Sequence, residues 1–308
     1  MRIGTQSFYR SATQTVQRLQ REMGRVTDAL SSGKRLQRPS DDPVAAAIIA
    51  RTYTDLAATQ ARQELLQGGI RMCREVDAAL GQITDSLFDV AEEAARALQP
   101  TAQNSTARAT SAAVIRSLAQ TILSAANAKS GERYLFAGYQ DRQAPFEETP
   151  GGALYHGDSN QPTIPLGNGR TCPFSVAGDA LLNYVDKDGK RAVPGVDADV
   201  FSVLENLATA IEAGDTKTTA YLLDQVRALH SHVLALRGSV GAWQNRLETN
   251  LTALGDAEQR YKVVLSEVES TDIAQGVTEY KARETNYLAA LQVLSSVMQL
   301  PTLFDLTR

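Results

Sequence analysis

The sequence predicts a mainly α-helical protein with a small β-rich insert. Its N- and C-terminal segments are expected to form an elongated antiparallel coiled coil or helical bundle, with a β-rich module at one end. Apolar residues recur every seven positions with 3-4 spacing over several long stretches, which is typical of helices packed along a shared stripe. The chain is also 43% hydrophobic but only 6% aromatic, a balance that suits helical packing more than a large mixed core.

A first helix is expected over residues 5–32, which carry apolar residues at seven-residue intervals. Gly33 is placed to end it, because glycine readily adopts the left-handed conformation of a helix C-cap. Asp42 is a good N-cap and Pro43 fits a first helical turn, so a second helix should start there. The adjacent carboxylates of Asp41 and Asp42 could also suggest an acid–base dyad, but a capped helix start explains them better.

The second helix is predicted over residues 44–98 and should stop before Pro100, since proline cannot continue a helix interior. Gly68 and Gly69 mark a possible bend within it. A third helix is predicted over residues 106–129. Another helix is expected to contain Phe201 and to end at a turn before about residue 216.

The middle of the chain changes character after the third helix. The segment RYLFAG at residues 133–138 is short and aromatic, like a strand. Turn-forming residues within residues 143–198 separate brief candidate strands, which read ALYH, TIPL and CPFSV. This spacing predicts a small β-rich module.

The longest apolar repeat lies between Leu222 and Val268, in a helix that should begin near Thr216. At ~1.5 Å per residue this repeat would be roughly 70 Å long, so an elongated molecule is expected. The polar residues 269–272 should interrupt it, because they favour a helix start. The repeat contains what we call the rod seam, which consists of Val226, Val233, Val240, Trp243, Leu247, Leu254 and Tyr261.

Apolar stripes also mark both ends of the chain. An unpaired stripe leaves about 1.5 to 3 kcal/mol of burial unrealised for each large side chain, and lone helices of this length are marginal in water. We therefore expect neighbouring molecules to cover these stripes and the segments carrying them to be disordered in the monomer. An ordinary intramolecular bundle is the alternative. Together the stripes form the terminal-helix surface, which comprises Tyr9, Val16, Leu19, Met23, Val26, Leu30, Ile273, Val277, Tyr280, Tyr287, Leu291, Leu294 and Met298.

The composition limits the possible partners. A net charge of -4 gives no electrostatic case for nucleic acid, and the basic residues among the first forty are expected to form a solvated helix face. No apolar run is long enough for a membrane span. The N-terminal residues lack the features of a cleaved secretory signal. Cys73 lies in register with apolar helix positions and should be a buried thiol, so a bridge to Cys172 is disfavoured.

No enzymatic activity, cofactor or metal site is expected. The chain has three histidines, and His230 and His232 should point to different sides of one helix. No HExxH, CxxC, P-loop or GxSxG motif occurs. Residues 167–169 lack the third glycine of a dinucleotide-binding fingerprint.

Two motifs at opposite ends of the chain resemble the bacterial flagellin family. LSSGKRLQRPSDDPVAA at residues 30–46 is similar to its N-terminal box, and GAWQNRLETNL at residues 241–251 to its C-terminal counterpart. Residues 131–146 and 286–306 resemble the hook–filament junction members of this family more than flagellin itself. The motif residues are Gly33, Asp41, Asp42, Gln244, Asn245 and Arg246.

The resemblance implies an extracellular structural protein of the bacterial flagellum that joins hook and filament and is exported by the flagellar type III route without a cleaved signal peptide. It implies a tube core from residues 1–40 and 270–308, a helical rod from residues 41–142 and 199–269, and a β-rich surface domain from residues 143–198. The implied partners are hook-associated protein 1, flagellin, further copies of the chain in a ring, and an export chaperone on the C-terminal segment. The alternatives are flagellin itself, as a filament subunit, and another type III secreted coiled-coil protein.

Overall fold

The computed structural model describes residues 2–99, 104–149, 152–167, 169–185, 189–196 and 198–298, without the side chains of residues 2–9, 297 and 298. The mainly helical class with a small β-rich insert is confirmed. The helices are α1 (Arg2–Ser32), α2 (Pro43–Ala97), α3 (Ser105–Ala126), α4 (Gly178–Leu181), α5 (Val200–Ala213), α6 (Thr216–Glu269) and α7 (Ile273–Met298). The strands are β1 (Lys129–Ser130), β2 (Arg133–Tyr134), β3 (Phe146–Thr149), β4 (Gly152–Tyr155), β5 (Thr163–Gly167) and β6 (Arg170–Pro173).

The chain divides into two compact units. The first takes its residues from 1–60 and 256–308, and the second consists of residues 61–255. The first unit therefore contains α1, the start of α2, the end of α6, and α7. The second unit contains the remaining helices and all six described strands.

The turn between α1 and α2 follows the sequence prediction. α1 ends one residue before Gly33, whose φ of +68° is the left-handed conformation of a helix C-cap. The carboxylate of Asp42 accepts the backbone N–H of Ala45 at 3.0 Å and caps α2. The carboxylate of Asp41 accepts the backbone N–H of Arg38 at 3.2 Å. Both carboxylates thus stabilise the turn, and the capped helix start is confirmed.

One face of α2 is built from small and polar residues in the first unit. Ala45, Thr52 and Thr59 follow one another at seven-residue intervals, and all three are buried. The hydroxyls of Thr52 and Thr59 donate to the carbonyls of Ile48 and Asp55, each at 2.8 Å, so burial leaves neither hydroxyl unsatisfied. A search for apolar residues alone passes over this part of the repeat.

The second unit contains the large hydrophobic core. Its α2 and α6 segments run antiparallel, because Asp77 pairs with Arg237 at 3.0 Å and Arg74 pairs with Glu248 at 3.3 Å. Arg116 of α3 bridges to Glu205 of α5 at 3.1 Å. The largest fully buried side chains of this unit are Leu80, Ile83, Leu87, Ile115, Ile122, Phe136, Leu181, Leu182, Leu204, Leu207, Leu229 and Leu247.

The strands form three separate antiparallel hairpins, β1–β2, β3–β4 and β5–β6. Two predictions about this region are wrong in detail. α3 ends at Ala126, and Lys129, predicted as helical, belongs to β1. Within residues 133–138 only Arg133 and Tyr134 form a strand, while Phe136 is fully buried in the turn that follows.

The two adjacent glycines of α2 do not interrupt the helix, which runs from Pro43 to Ala97. Gly69 instead allows close packing: a Cβ atom there would overlap Cδ1 of Ile164 and lie 3.3 Å from Cδ1 of Leu247. Since Ile164 belongs to β5, the missing side chain lets the β5–β6 hairpin lie directly on α2.

Cys73 and Cys172 are both buried free thiols; the sequence predicts the burial of Cys73 and disfavours a bridge between the two. Burial raises the pKa of Cys73 to about 11, and the nearby Cys172 contributes to the same shift. Burial also raises the pKa of Cys172. A thiol that is buried and protonated at neutral pH is a poor nucleophile.

Candidate assembly surface of the terminal helices

α1 and α7 pack against each other in antiparallel orientation. Glu22 of α1 pairs with Arg283 of α7 at 2.9 Å. One turn before the end of α1, Leu30 lies over Gly276, where a Cβ atom would be only 2.7 Å from Cδ2 of Leu30. A glycine at this position therefore allows the two helices to approach closely.

The short segment that follows α1 pairs with the short segment that precedes α7. The backbone N–H of Arg35 donates to the carbonyl of Glu269 at 2.8 Å, and the N–H of Thr271 donates to the carbonyl of Gly33 at 3.0 Å. Lys34 forms an antiparallel β-bridge with Ser270. We call residues 33–35 and 269–271 the clasp. The sequence predicts both breaks as interruptions of a repeat but does not predict that they pair.

Side chains reinforce the clasp electrostatically. The ammonium of Lys34 binds the carboxylate of Glu269, and the hydroxyl of Tyr53 donates to the same carboxylate at 2.9 Å. The hydrogen bond from Lys34 holds the pKa of Glu269 below its ordinary value, with a smaller contribution from Tyr53. The same hydrogen bond raises the pKa of Lys34.

The terminal-helix surface is only partly covered. No described side chain of α1 or α7 is buried. One part of the surface is half-buried and consists of Val16, Leu19, Met23, Val26, Leu30, Tyr280, Tyr287 and Leu294. The other part is exposed and consists of Ile273 at 64%, Val277 at 43% and Leu291 at 36%.

α7 exposes two further large apolar residues, Leu288 at 58% and Val293 at 60%. A search along a single seven-residue register passes over both. The eleven-residue spacing places Leu288 on the same side of α7 as Val277, since eleven residues are close to three helical turns. Val293 lies five residues after Leu288 and therefore on a different side. α7 thus exposes large apolar residues on two sides, and a helix apolar on more than one side is usually covered on each of them.

The rod seam differs from this surface over most of its length. Val226, Val233, Val240 and Leu247 are fully buried within the chain. Trp243, Leu254 and Tyr261 are half-buried, and the first two pack against the hydrophobic core of the second unit. The internal packing predicted for Trp243 is thus observed.

The remaining motif residues are on the surface of α6 or close to it. The side-chain amide of Gln244 donates to Glu248 at 2.9 Å, one turn further along the helix. Asn245 and Arg246 are exposed. Tyr9 and Met298 lie at the outer ends of α1 and α7, and their side chains are outside the described residues.

Among the described residues, no group of three or more His, Cys, Asp or Glu side chains is arranged to hold a metal ion. None of the described helices combines the length and apolar character needed to cross a membrane.

Comparison with known sequences identifies relatives along the whole chain. The family model of the bacterial flagellin N-terminal helical region matches residues 3–141. Flagellar hook-associated protein 3 of Salmonella typhimurium is 26% identical over 330 residues, and the match covers 100% of both chains. Flagellar hook-associated protein 3 of Escherichia coli is 26% identical over 335 residues, again covering 100% of both chains.

Solved structures share the fold. A putative flagellar hook-associated protein from Vibrio parahaemolyticus superposes with a TM-score of 0.67 at 17% identity, covering 75% of this chain and 100% of that one. FlgL of Xanthomonas campestris gives a TM-score of 0.60 at 18% identity, covering 70% and 99%. The flagellar junction protein FlgL from Legionella pneumophila gives 0.60 at 17% identity, covering 73% and 100%.

Proposed function

We propose that this chain, whose residues 3–141 match the model of the bacterial flagellin N-terminal helical region, is a structural adaptor of the bacterial flagellum which joins the hook to the flagellin filament. One observation carries the proposal: α7 exposes large apolar side chains on the side not covered by α1, including Ile273, Leu288 and Val293. Its similarity to hook-associated protein 3 over the whole chain supports the junction role.

The proposed mechanism is coaxial packing of the terminal helices of many copies. Full burial of each exposed Val, Leu or Ile side chain contributes about 1.5 to 3 kcal/mol. Ordering the helices on assembly costs conformational entropy, which this burial must exceed. Residues 1–40 and 270–308 then act as the core of a tube, with the terminal-helix surface as the contact between neighbours. We propose that these segments become fully ordered only on assembly.

The remaining parts of the chain have separate roles in this proposal. Residues 41–142 and 199–269 form a helical rod whose core is complete within one copy. Residues 143–198 form a β-rich domain at the outer surface. The proposed partners are hook-associated protein 1 on the hook side, flagellin on the filament side, further copies in the same ring, and an export chaperone that holds the C-terminal segment before secretion without a cleaved signal peptide. No catalytic step is proposed.

Electron microscopy of flagella tests the junction role. A strain that lacks this chain should produce intact hooks with filaments detached into the medium, and the wild-type chain should restore attachment. A variant with Val277→Asp and Leu288→Asp should fail to restore it, because two charges would replace apolar contacts in the assembled core. Gln292→Asp is the control, since it adds a charge to α7 without removing an apolar group. Attached filaments in the deletion strain would rule the function out.

A filament subunit is the second candidate, favoured by the match of residues 3–141 to the flagellin N-terminal helical region. Seeded polymerisation of the purified chain separates the two roles. A junction protein should remain monomeric or form short assemblies on fragments of hook or filament. Long filaments made of this chain alone would favour the flagellin role.

A further inference from the structure

Five arginines surround one groove of the first unit. Arg18, Arg21 and Arg25 come from α1, while Arg35 and Arg38 come from the turn that follows it, and the groove has a volume of about 1010 Å³. All five side chains are exposed. We call this feature the basic groove.

The charge of the basic groove is not neutralised from within. None of the five arginines makes a salt bridge within 4.0 Å to a carboxylate of the described residues; Arg21 and Arg35 donate to backbone carbonyls instead. Three acidic residues line the groove beside the five arginines, namely Glu22, Asp28 and Asp41. Glu22 is held by Arg283 at 2.9 Å, and Asp41 accepts a backbone N–H in the turn. The packing of α1 on α7 therefore does not account for this surplus of positive charge.

The second unit carries a complementary feature. Asp85, Asp89 and Glu92 lie on successive turns of α2 and are exposed. None of them forms a salt bridge within 4.0 Å in the part of the chain that the structure describes, although the pKa of Arg237 is raised by its hydrogen bond to Asp77 and further by the charge of Asp85. Phe88, adjacent to this row, is 52% exposed and packs on the ring of His230 with centroids 6.2 Å apart. We call these three carboxylates the acidic stripe.

The two features match in spacing as well as in charge. The three α1 arginines are separated by three and then four residues, whereas the three carboxylates are separated by four and then three. Two helices laid side by side in antiparallel orientation would therefore place Arg18 opposite Glu92 and Arg25 opposite Asp85. Each row spans seven residues, or about 10.5 Å along its helix.

We propose that the basic groove of one copy binds the acidic stripe of the next copy. The inference rests on the proposed function, because it requires copies to lie side by side in an assembly. The contact joins different surfaces of two identical molecules, so it closes a ring or extends along a helix rather than forming a two-fold dimer. Arginine suits such a contact because its guanidinium binds a carboxylate through two parallel hydrogen bonds. Phe88 supplies an apolar group beside the ion pairs.

A mixing experiment with two variants of the full chain tests this contact. The groove variant carries Arg21→Glu and Arg25→Glu, and the stripe variant carries Asp85→Arg and Asp89→Arg. Each variant alone presents like charges at the contact, whereas a mixture offers opposite charges in both possible orders. Association is measured by sedimentation velocity at high protein concentration and low ionic strength, with circular dichroism to verify that each variant is folded.

At this high concentration and low ionic strength the wild-type chain should form short assemblies, and added salt should weaken this association. Each variant alone should associate at least about tenfold more weakly, because facing like charges are strongly unfavourable. An equimolar mixture should return to within about threefold of the wild-type affinity. The neutral variants Arg21→Gln with Arg25→Gln, and Asp85→Asn with Asp89→Asn, should fall in between.

Two results would overturn the proposal. The wild-type chain could stay monomeric throughout, or the mixture could associate no better than either variant alone. If the mixture fails to associate but the deletion strain releases its filaments, the proposed contact is wrong and the junction function is supported. If the mixture associates but the deletion strain keeps its filaments attached, the contact is supported and the junction function is wrong.

Discussion

The core of the second unit and the terminal helix pair use the same seven-residue repeat with opposite results. In the core, Val76, Leu80 and Ile83 on one face of α2 are fully buried. In the pair, Ile273 and Val277 of α7 are 64% and 43% exposed. A repeat therefore predicts that a helix packs through one face, but it does not tell whether the same chain or another one covers that face.

The difference follows from how many elements meet each helix. In the second unit, α2 and α6 are joined by α3, α5 and three hairpins, which together cover their apolar faces. In the first unit, α1 and α7 bury no described side chain between them. In the proposed function, assembly supplies the missing neighbours. Substitutions in the second unit should therefore destabilise the monomer more than substitutions in α1 or α7.

The largest effect is expected from cutting away a core side chain. Leu80→Ala should lower the free energy of unfolding of the monomer by about 2 to 5 kcal/mol, because it removes a fully buried side chain and leaves a cavity. Val277→Ala should change it by less than about 0.5 kcal/mol, since this side chain is exposed in the monomer. Urea denaturation followed by circular dichroism measures both. Equal losses would show that the terminal pair is already part of the monomer core.

A smaller contrast is expected from crowding two helical glycines. Gly69→Val should destabilise the monomer by about 1 to 3 kcal/mol, because its side chain would overlap Ile164 within the packed core. Gly276→Val should cost less than about half of that, although Cδ2 of Leu30 lies 2.7 Å from the position of the new Cβ. Leu30 is only half-buried and has room to move. The same denaturation experiment applies, and a reversed order would contradict the difference in packing.

The smallest effect concerns the pH dependence of the clasp. The pKa of Glu269 is lowered from its ordinary value of 4.5, chiefly by the hydrogen bond from Lys34. Its contribution is therefore fully present above pH 4.5 and is lost as the pH falls through the lower folded-state pKa. The pKa of Lys34 is raised from 10.5, so its contribution is fully present below that pH and is lost at higher pH.

Hydrogen exchange of two clasp amides measures this dependence. The backbone N–H groups of Arg35 and Thr271 both donate across the clasp, and their protection should decline below pH 4.5 after correction for intrinsic exchange rates. Glu269→Gln should remove this decline, because the amide cannot titrate. An unchanged pH profile in Glu269→Gln would show that the ion pair does not stabilise the clasp.

Most helix positions could be predicted from the sequence, because the residues that start and end a helix act locally. Three such residues act within a few positions of a helix end. Gly33 adopts positive φ after α1, Asp42 caps α2, and Pro43 lies in the first turn of α2. The interior packing of Trp243 and Cys73 was likewise readable from register. The length of the strand at Tyr134 was not predictable, since it pairs with Lys129 over only two residues before the chain turns and strand preference depends strongly on context.

The candidate surface was only partly predictable. A single register selects half-buried Tyr280 and exposed Val277 together, because it does not record which side α1 will cover. It also passes over Leu288 and Val293, which are exposed on α7 but fall outside that register. The clasp and the role of Gly69 depend on contacts between residues more than ninety positions apart, and no local pattern announces them.

Hydrogen exchange on the purified monomer tests directly whether the terminal helices need neighbouring molecules to hold them in place. Backbone amides of residues 16–30 in α1 are compared with those of residues 76–90 in α2, which lie in the core of the second unit. The account predicts fast exchange in the first set and slow exchange in the second, because only the second is covered within one chain. Comparable, strong protection of both sets would contradict it, since the terminal helices would then need no neighbouring molecule to hold them.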